Sequence, residues 1–307
     1  MEKKYKLTEE TINVGDKTLH RIEALKDFSD VKKGDKGGYI EKEENLSQNG
    51  NCWVYDDAMV YGKARVFDKA KVRNEAKVLD DVVVYGNARV YDNAKVYDYA
   101  KVYHNAVVYG NAEVYDYAKV YGNARVFDNA EVFGNAKVYH YAVVRDNAVV
   151  YCEAKVYGNA WVFGNARVYC DAEVYGDAEV YGNAVVYDNA QVYDNANVYE
   201  DAEVFGNAEI RGDAEIASNS DYILFKNWWS SGRYFTWTRS NDMWKVGCFY
   251  GTGKELIEKA YKDSEISGRE YKKVVGYVNS IKDNEYNHVR KNIKERLLSK
   301  IRKLFGK

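Results

Sequence analysis

From Val54 to Ile216 an aliphatic residue, Val or Ile, returns at every sixth position without a slip. The unit reads Val-Tyr-(Gly/Asp)-Asn-Ala-x, as in Val84–Arg89 and Val90–Lys95, and it occurs 28 times. Its fifth position is Ala throughout except at Val82. A period of six matches neither an α-helix nor plain alternation. It does match a short strand followed by a corner. Ala and the Val two residues later share one face of the strand, while x and Tyr share the other. Gly or Asp followed by Asn then turns the chain, because these residues tolerate positive φ. Three strands and three corners close an 18-residue triangular coil. Inward Val and Ala columns stack into a narrow core, and backbone hydrogen bonds join coils ~4.8 Å apart. Roughly nine coils predict a prism on the order of 45 Å long.

Composition fits a repeat protein: 307 residues, 30 tyrosines and no proline. The formal net charge of −2 points to neither nucleic acid nor membrane as an obligatory partner. The start, MEKKYKLTEE, lacks the apolar stretch of a secretory signal, and no apolar run is long enough to span a bilayer. Cys52, Cys152, Cys170 and Cys248 form no CxxC pair. A reducing cytoplasm is the expected address, that of the host cell if the chain is phage-encoded.

The repeat resembles the left-handed β-helix hexapeptide-repeat superfamily, over slightly more than half the chain. The resemblance implies a mainly β fold: a left-handed parallel β-helix shaped as a triangular prism. Tyr or Phe stands here where Gly is common in the enzyme members. Many members are acyltransferases and some are metal-dependent carbonic anhydrases, chemistries that need a histidine base or three histidines around zinc. Only His104 and His140 lie in the array, and they are two coils, on the order of 10 Å, apart. That is too far to share one metal ion, so both read as solvated corner residues. The array also lacks any inserted loop that could wall a substrate pocket. No catalytic residue, metal or cofactor is therefore expected. Cys152 and Cys170 occupy the same corner on successive coils, as two free thiols or as a pair that oxidation could cross-link.

Sorted by coil, one outward column runs unbroken through Tyr85, Tyr103, Tyr121, Tyr139, Tyr157, Tyr175 and Tyr193. Beside it run Lys101, Lys119, Lys137 and Lys155. Phosphates on lysine and bases on rings would suit nucleic acid, and tyrosine-rich strips also suit protein docking. Ring stacking alone would explain the column equally well. Tyr103, Tyr121, Tyr139 and Tyr157 with the four lysines are the candidate binding residues of this face.

The flanks divide the chain into a β cap (1–45), the repeat array (46–218), a small α+β domain (219–282) and a basic amphipathic helix (283–307). The cap alternates apolar and polar residues around turns expected at Gly15-Asp16 and Gly37-Gly38. It should cover the first coil, since an open solenoid end invites pairing with other chains. After Ile216, three strand-like runs (222–229, 233–238 and 243–250) precede helices expected at 254–261 and 269–281. Both flanks resemble hexapeptide-repeat proteins of uncharacterised function from low-GC bacteria and their phages. Gly247, Cys248, Phe249, Gly251 and Thr252 match a motif of that group, and Ser231-Gly232-Arg233 departs from its Gly-Ser-Arg turn. Cys248, between Val246 and Phe249, reads as a core cysteine rather than a nucleophile. Arg233, Thr236, Thr238 and Thr252 are candidates for an anion site at a helix N-terminus, with a strand turn and a helix cap as the alternative. Trp244 is a further binding candidate. In the tail, Lys294, Arg296 and Lys300 surround an apolar stripe that could meet nucleic acid, an acidic partner, a membrane surface or a neighbouring domain.

Three functions follow from these features. The favoured one is a non-catalytic binding scaffold, and the resemblance of the flanks implies a phage or mobile-element protein that blocks or sequesters a host defence component. The alternatives are an acyltransferase-like or metal-dependent enzyme, and a nucleic-acid- or nucleotide-binding protein using the Tyr/Lys face and basic tail. Outward aromatics also suit association of the chain with itself.

Overall fold

The computed structural model describes residues 2–229 and 231–282. It is mainly β, a parallel solenoid of about ten turns with a small antiparallel sheet and two helices after it. The 28 two-residue strands from Trp53–Val54 to Glu215–Ile216 line three faces, ten on one and nine on each of the others. The nine coils expected thus become nine with a tenth begun.

Each residue of the unit has one job. Every first-position Val or Ile and every fifth-position Ala of the array, with Val82 in the Ala column, is fully or almost fully buried, from Val54 and Ala58 to Ile216. The x residue and Tyr lie outside, as strand alternation requires. Coil joins coil through pairs such as Lys101 N–H to Ala118 O at 2.9 Å and Tyr103 N–H to Val120 O at 3.1 Å. The corner is a tight turn closed by the Ala amide on the Tyr carbonyl, at 3.4 Å for Ala100 and Tyr97. Every third-position residue from Asp56 to Gly212 has positive φ, between 52° and 73°. That geometry explains the Gly/Asp preference.

Asp does more than tolerate the turn. Its carboxylate accepts a hydrogen bond from the corner amide one coil onward: Asp116 from Gly134 N–H at 3.1 Å, Asp146 from Gly164 N–H at 3.1 Å. Next to it, Asn side chains form ladders, such as Asn111 to Asn129 to Asn147 to Asn165 to Asn183, with steps of 3.0 to 3.2 Å. Asp116→Ala leaves the part-buried Gly134 amide unpaired, and the expected cost is about 1–2 kcal/mol. A lowered urea midpoint at unchanged slope would register it.

The cap consists of strands Tyr5–Val14, Lys17–Ala24 and Lys36–Ile40. The first two form an antiparallel hairpin with Val14 opposite Lys17 across Gly15-Asp16. The third pairs with the second on one side and, in parallel, with Met59–Val60 on the other. The cap therefore extends one face of the solenoid into a 12-stranded sheet. Gly37 and Gly38 lie within the third strand and not in a turn, correcting the expectation above. A Cβ on either would stand 2.5 Å from Val54 O or 2.4 Å from Ala58 O, so the strand passes too close for any side chain. Trp53 is buried beneath Tyr5 and Phe28 with edge-to-face rings 6.0 and 5.3 Å away.

By contact the described residues form two units, 2–224 with 238–241, and 225–237 with 242–282. The small sheet has the order Tyr222–Lys226, Tyr234–Thr238, Met243–Val246, Phe249–Thr252. The run expected over 243–250 is split, because Gly247 (φ 54°) and Cys248 make the two-residue turn of a hairpin with Val246 opposite Phe249. Cys248 is therefore exposed at a turn, not in the core. The helix Gly253–Asp263 buries Leu256 and Ala260. A second helix is already formed at residue 265, before the expected 269, and is described to residue 282. It brings Tyr271 onto Phe235 with ring centres 4.7 Å apart. The 283–307 segment, with Lys294, Arg296 and Lys300, lies outside the described residues.

Candidate binding faces of the solenoid

Phe67, Tyr85, Tyr103, Tyr121, Tyr139, Tyr157, Tyr175 and Tyr193 form one continuous stack, with ring centres 4.8 to 5.1 Å apart and planes within 8°. The coil spacing imposes this distance, which is also a favourable one for offset rings. The consequence for recognition is negative. Both faces of Tyr103, Tyr121, Tyr139 and Tyr157 are covered by neighbours, so only ring edges and hydroxyls meet solvent. Burial pushes the Tyr103 and Tyr139 phenols up to about 12 and raises Tyr121. Tyr157 is raised by burial and then by the Glu173 carboxylate that accepts its hydrogen bond at 2.9 Å. These hydroxyls stay protonated at neutral pH and serve as donors, not bases.

Lys101, Lys119, Lys137 and Lys155 stand opposite one another in parallel register. Lys155 is paired with Glu173 at 2.7 Å, which raises its pKa. The first three line a shallow cavity of about 300 Å³ with Tyr99, Tyr117 and Glu153. Tyr99 and Tyr117 hold the Asn position of the corner and are half exposed, at 49% and 55%. They stack on each other at 4.9 Å, leaving each ring one face outward along the column. The accessible aromatics beside the lysine row are thus these two corner residues, which column-by-column sorting of the Tyr position had passed over. A corner tyrosine breaks the Asn rule, and that exception was the readable signal.

His104 and His140 sit at corners (φ 60° and 59°) with their rings edge-on to Tyr103 and Tyr139 at 4.9 and 4.8 Å. Among the described residues no three His, Cys, Asp or Glu side chains are grouped so as to hold a metal. Cys152 and Cys170 share a corner column, both at positive φ, and are free thiols.

The C-terminal candidates separate into local roles. Thr252 caps the helix Gly253–Asp263, its hydroxyl accepting from Glu255 N–H. The Glu255 carboxylate in turn accepts from Thr252 N–H at 2.8 Å and from the Thr252 hydroxyl at 2.9 Å. That carboxylate fills the place where an external anion would sit, so the helix-cap alternative describes this threonine. Thr236, Thr238 and Trp244 are buried. Thr238 donates to Asn241. Arg233 is exposed and lines a small depression with Cys248, Lys259 and Tyr271.

A second cationic region escaped the sequence reading. Lys69, Lys71, Arg73 and Arg89, on neighbouring coils, line a groove of about 740 Å³ together with Tyr91 and the cap residue Ser29. The net charge of −2 concealed it, because charge is unevenly spread. From Asp171 to Ile216 the chain carries twelve acidic residues and a single basic one, Arg211. The cations of the array are concentrated in the earlier coils, and summing charge coil by coil would have exposed this.

No family model matches the chain. A stretch of 38 residues is 53% identical to a protein of Escherichia coli K12 named uncharacterized acetyltransferase YdcK. The match covers 12% of this chain and 12% of that protein, about two coils' worth of sequence. This similarity fits the hexapeptide-repeat type of array, and it spans only that fraction of the relative's length.

Proposed function

We propose that the chain is a non-catalytic binding scaffold whose solenoid, wound left-handedly as its repeat implies, holds rows of side chains at fixed spacing for a macromolecular partner. The observation carrying this reading is that 28 strands follow one another at six-residue intervals with no inserted loop. Substrate pockets are enclosed by walls, and a loop-free prism builds few. Its outward rows instead present a rigid, extended surface that loses little entropy on binding. The proposed docking strip is Lys101, Lys119 and Lys137 with Tyr99 and Tyr117, which suits an acidic protein surface. The flank resemblance supports a host component as that partner and a phage or mobile element as the source. Capture from host extract by the intact protein should fall about tenfold with Lys119→Glu plus Lys137→Glu. Unchanged capture would remove this strip from the proposal.

The similarity to a protein named as an acetyltransferase favours a second reading, an acyl-transfer enzyme. It predicts turnover of acetyl-coenzyme A that is lost on His104→Ala or His140→Ala. Such turnover would replace the scaffold reading.

A further inference from the structure

We infer that the first coils of the solenoid carry a binding site for single-stranded nucleic acid, formed by a belt of cations running around the rod to an aromatic platform at Phe67. The belt comprises Arg73, Lys71 and Arg89 on one face, Lys69 at the corner, and Arg65 on the next face. The groove of about 740 Å³ that holds the first four residues shares Asn51, Lys69 and Asn87 with an adjoining depression of about 460 Å³ over the corner. That depression shares Gly50 and Asp68 with a third, of about 440 Å³, lined by Arg65 and Phe67. The concavity is therefore continuous and long, which suits a strand better than a compact metabolite.

Electrostatics and ring geometry point the same way. Lys71 and Arg73 are held in place by Asp30 at 2.7 and 2.9 Å, and the Arg73 guanidinium lies 4.0 Å from the Tyr55 ring centre. Asp30 spends its charge on that pair. Asp68, the acidic residue lining the belt, accepts from Gly86 N–H at 3.1 Å. Arg65, Lys69 and Arg89 are exposed and belong to none of the ion pairs found among the described residues. The lining is otherwise amide and hydroxyl, donors suited to phosphate oxygens. Phe67 begins the long aromatic stack. Tyr85 covers one of its faces at 5.1 Å, and the residue paired one coil earlier is Ser47, since Leu46 bridges Val66 in parallel, so no ring of that column covers the other. A base laid there would continue a stack the protein has already built, while its backbone follows the cations.

The test uses the full chain and a fluorescently labelled single-stranded oligonucleotide of about 12 nucleotides, read by anisotropy. Binding should weaken with salt at a logarithmic slope of about −3, the value for four or five phosphates on a single strand. Lys69→Glu plus Arg89→Glu should weaken it at least tenfold and flatten the slope. Phe67→Ala should weaken it about tenfold with the slope unchanged, because stacking releases no counterion. Lys119→Glu plus Lys137→Glu, on the separate strip, should leave it unaltered. Binding that ignores both belt variants would overturn the inference. So would inorganic polyphosphate competing fully while Phe67→Ala has no effect, which would mark a general polyanion site. Either failure leaves the scaffold reading standing, since that reading rests on the loop-free array and a protein partner.

Discussion

Deleting three residues from the array, Asn129–Glu131, is expected to abolish cooperative folding, whereas deleting six, Tyr121–Val126, leaves a folded solenoid. The difference is one of phase. After the six-residue deletion Phe127 follows Val120 where Tyr121 stood, so every later Val and Ala still points inward. After the three-residue deletion the chain reads Asp128-Val132-Phe133, which places Phe133 at the Ala position and Asn135 at the next Val position. A coil three residues short cannot close its triangle, and downstream strands can hold neither register nor core. The exposed strand edges would then favour aggregation. Circular dichroism and thermal melting of the two variants check this, with loss of the melting transition expected only for the shorter deletion.

Val138→Asp should be nearly as damaging. Val138 has no exposed surface, and its strand pairs in parallel with those of Val120 and Val156. The prism core is one side chain deep, so a carboxylate there has neither water nor a cation to meet. Burying such a group unpaired exceeds about 4 kcal/mol, a large part of the stability of any domain. The isosteric Val138→Thr should cost less, about 1–3 kcal/mol, since only a hydroxyl is left unpaired. Soluble yield and urea midpoints should rank wild type, Thr and Asp in that order. Equal stability of wild type and the Asp variant would contradict the inward orientation of the Val column.

The fold was legible because each position of the unit answers a separate local demand. Val and Ala alternate with outward residues over one short strand, and Gly or Asp must accept positive φ at every corner. Such rules act within six residues and repeat until they cannot be misread. What escaped depended on contacts between distant segments. Gly37 and Gly38 looked like a turn, and only the carbonyls of Val54 and Ala58 pressing on them reveal a strand. Cys248 looked buried by its neighbours, yet Gly247 turns the chain beneath it. The column Tyr103 to Tyr157 was found from spacing alone, but not that stacking would cover its ring faces. The belt around Lys69 needed three coils and a cap loop brought together, and an overall charge near zero hid it.

The scaffold account holds that rows across coils, rather than individual residues or a catalytic pocket, make the binding surface. Two deletions separate rows from fold. Removing one whole coil, Tyr121–Val138, takes out Lys137 but sets Lys155 beside Lys119 on the same face. Removing one unit, Tyr121–Val126, keeps the solenoid but carries Lys137 and Lys155 together to the adjoining face, away from Lys101 and Lys119. Capture of the proposed host partner by both variants, alongside the intact protein, is the most direct measurement. The account predicts that the one-coil deletion retains the partner and the one-unit deletion loses it. Retention by both to the same degree, or turnover of acetyl-coenzyme A by the intact protein, would contradict it.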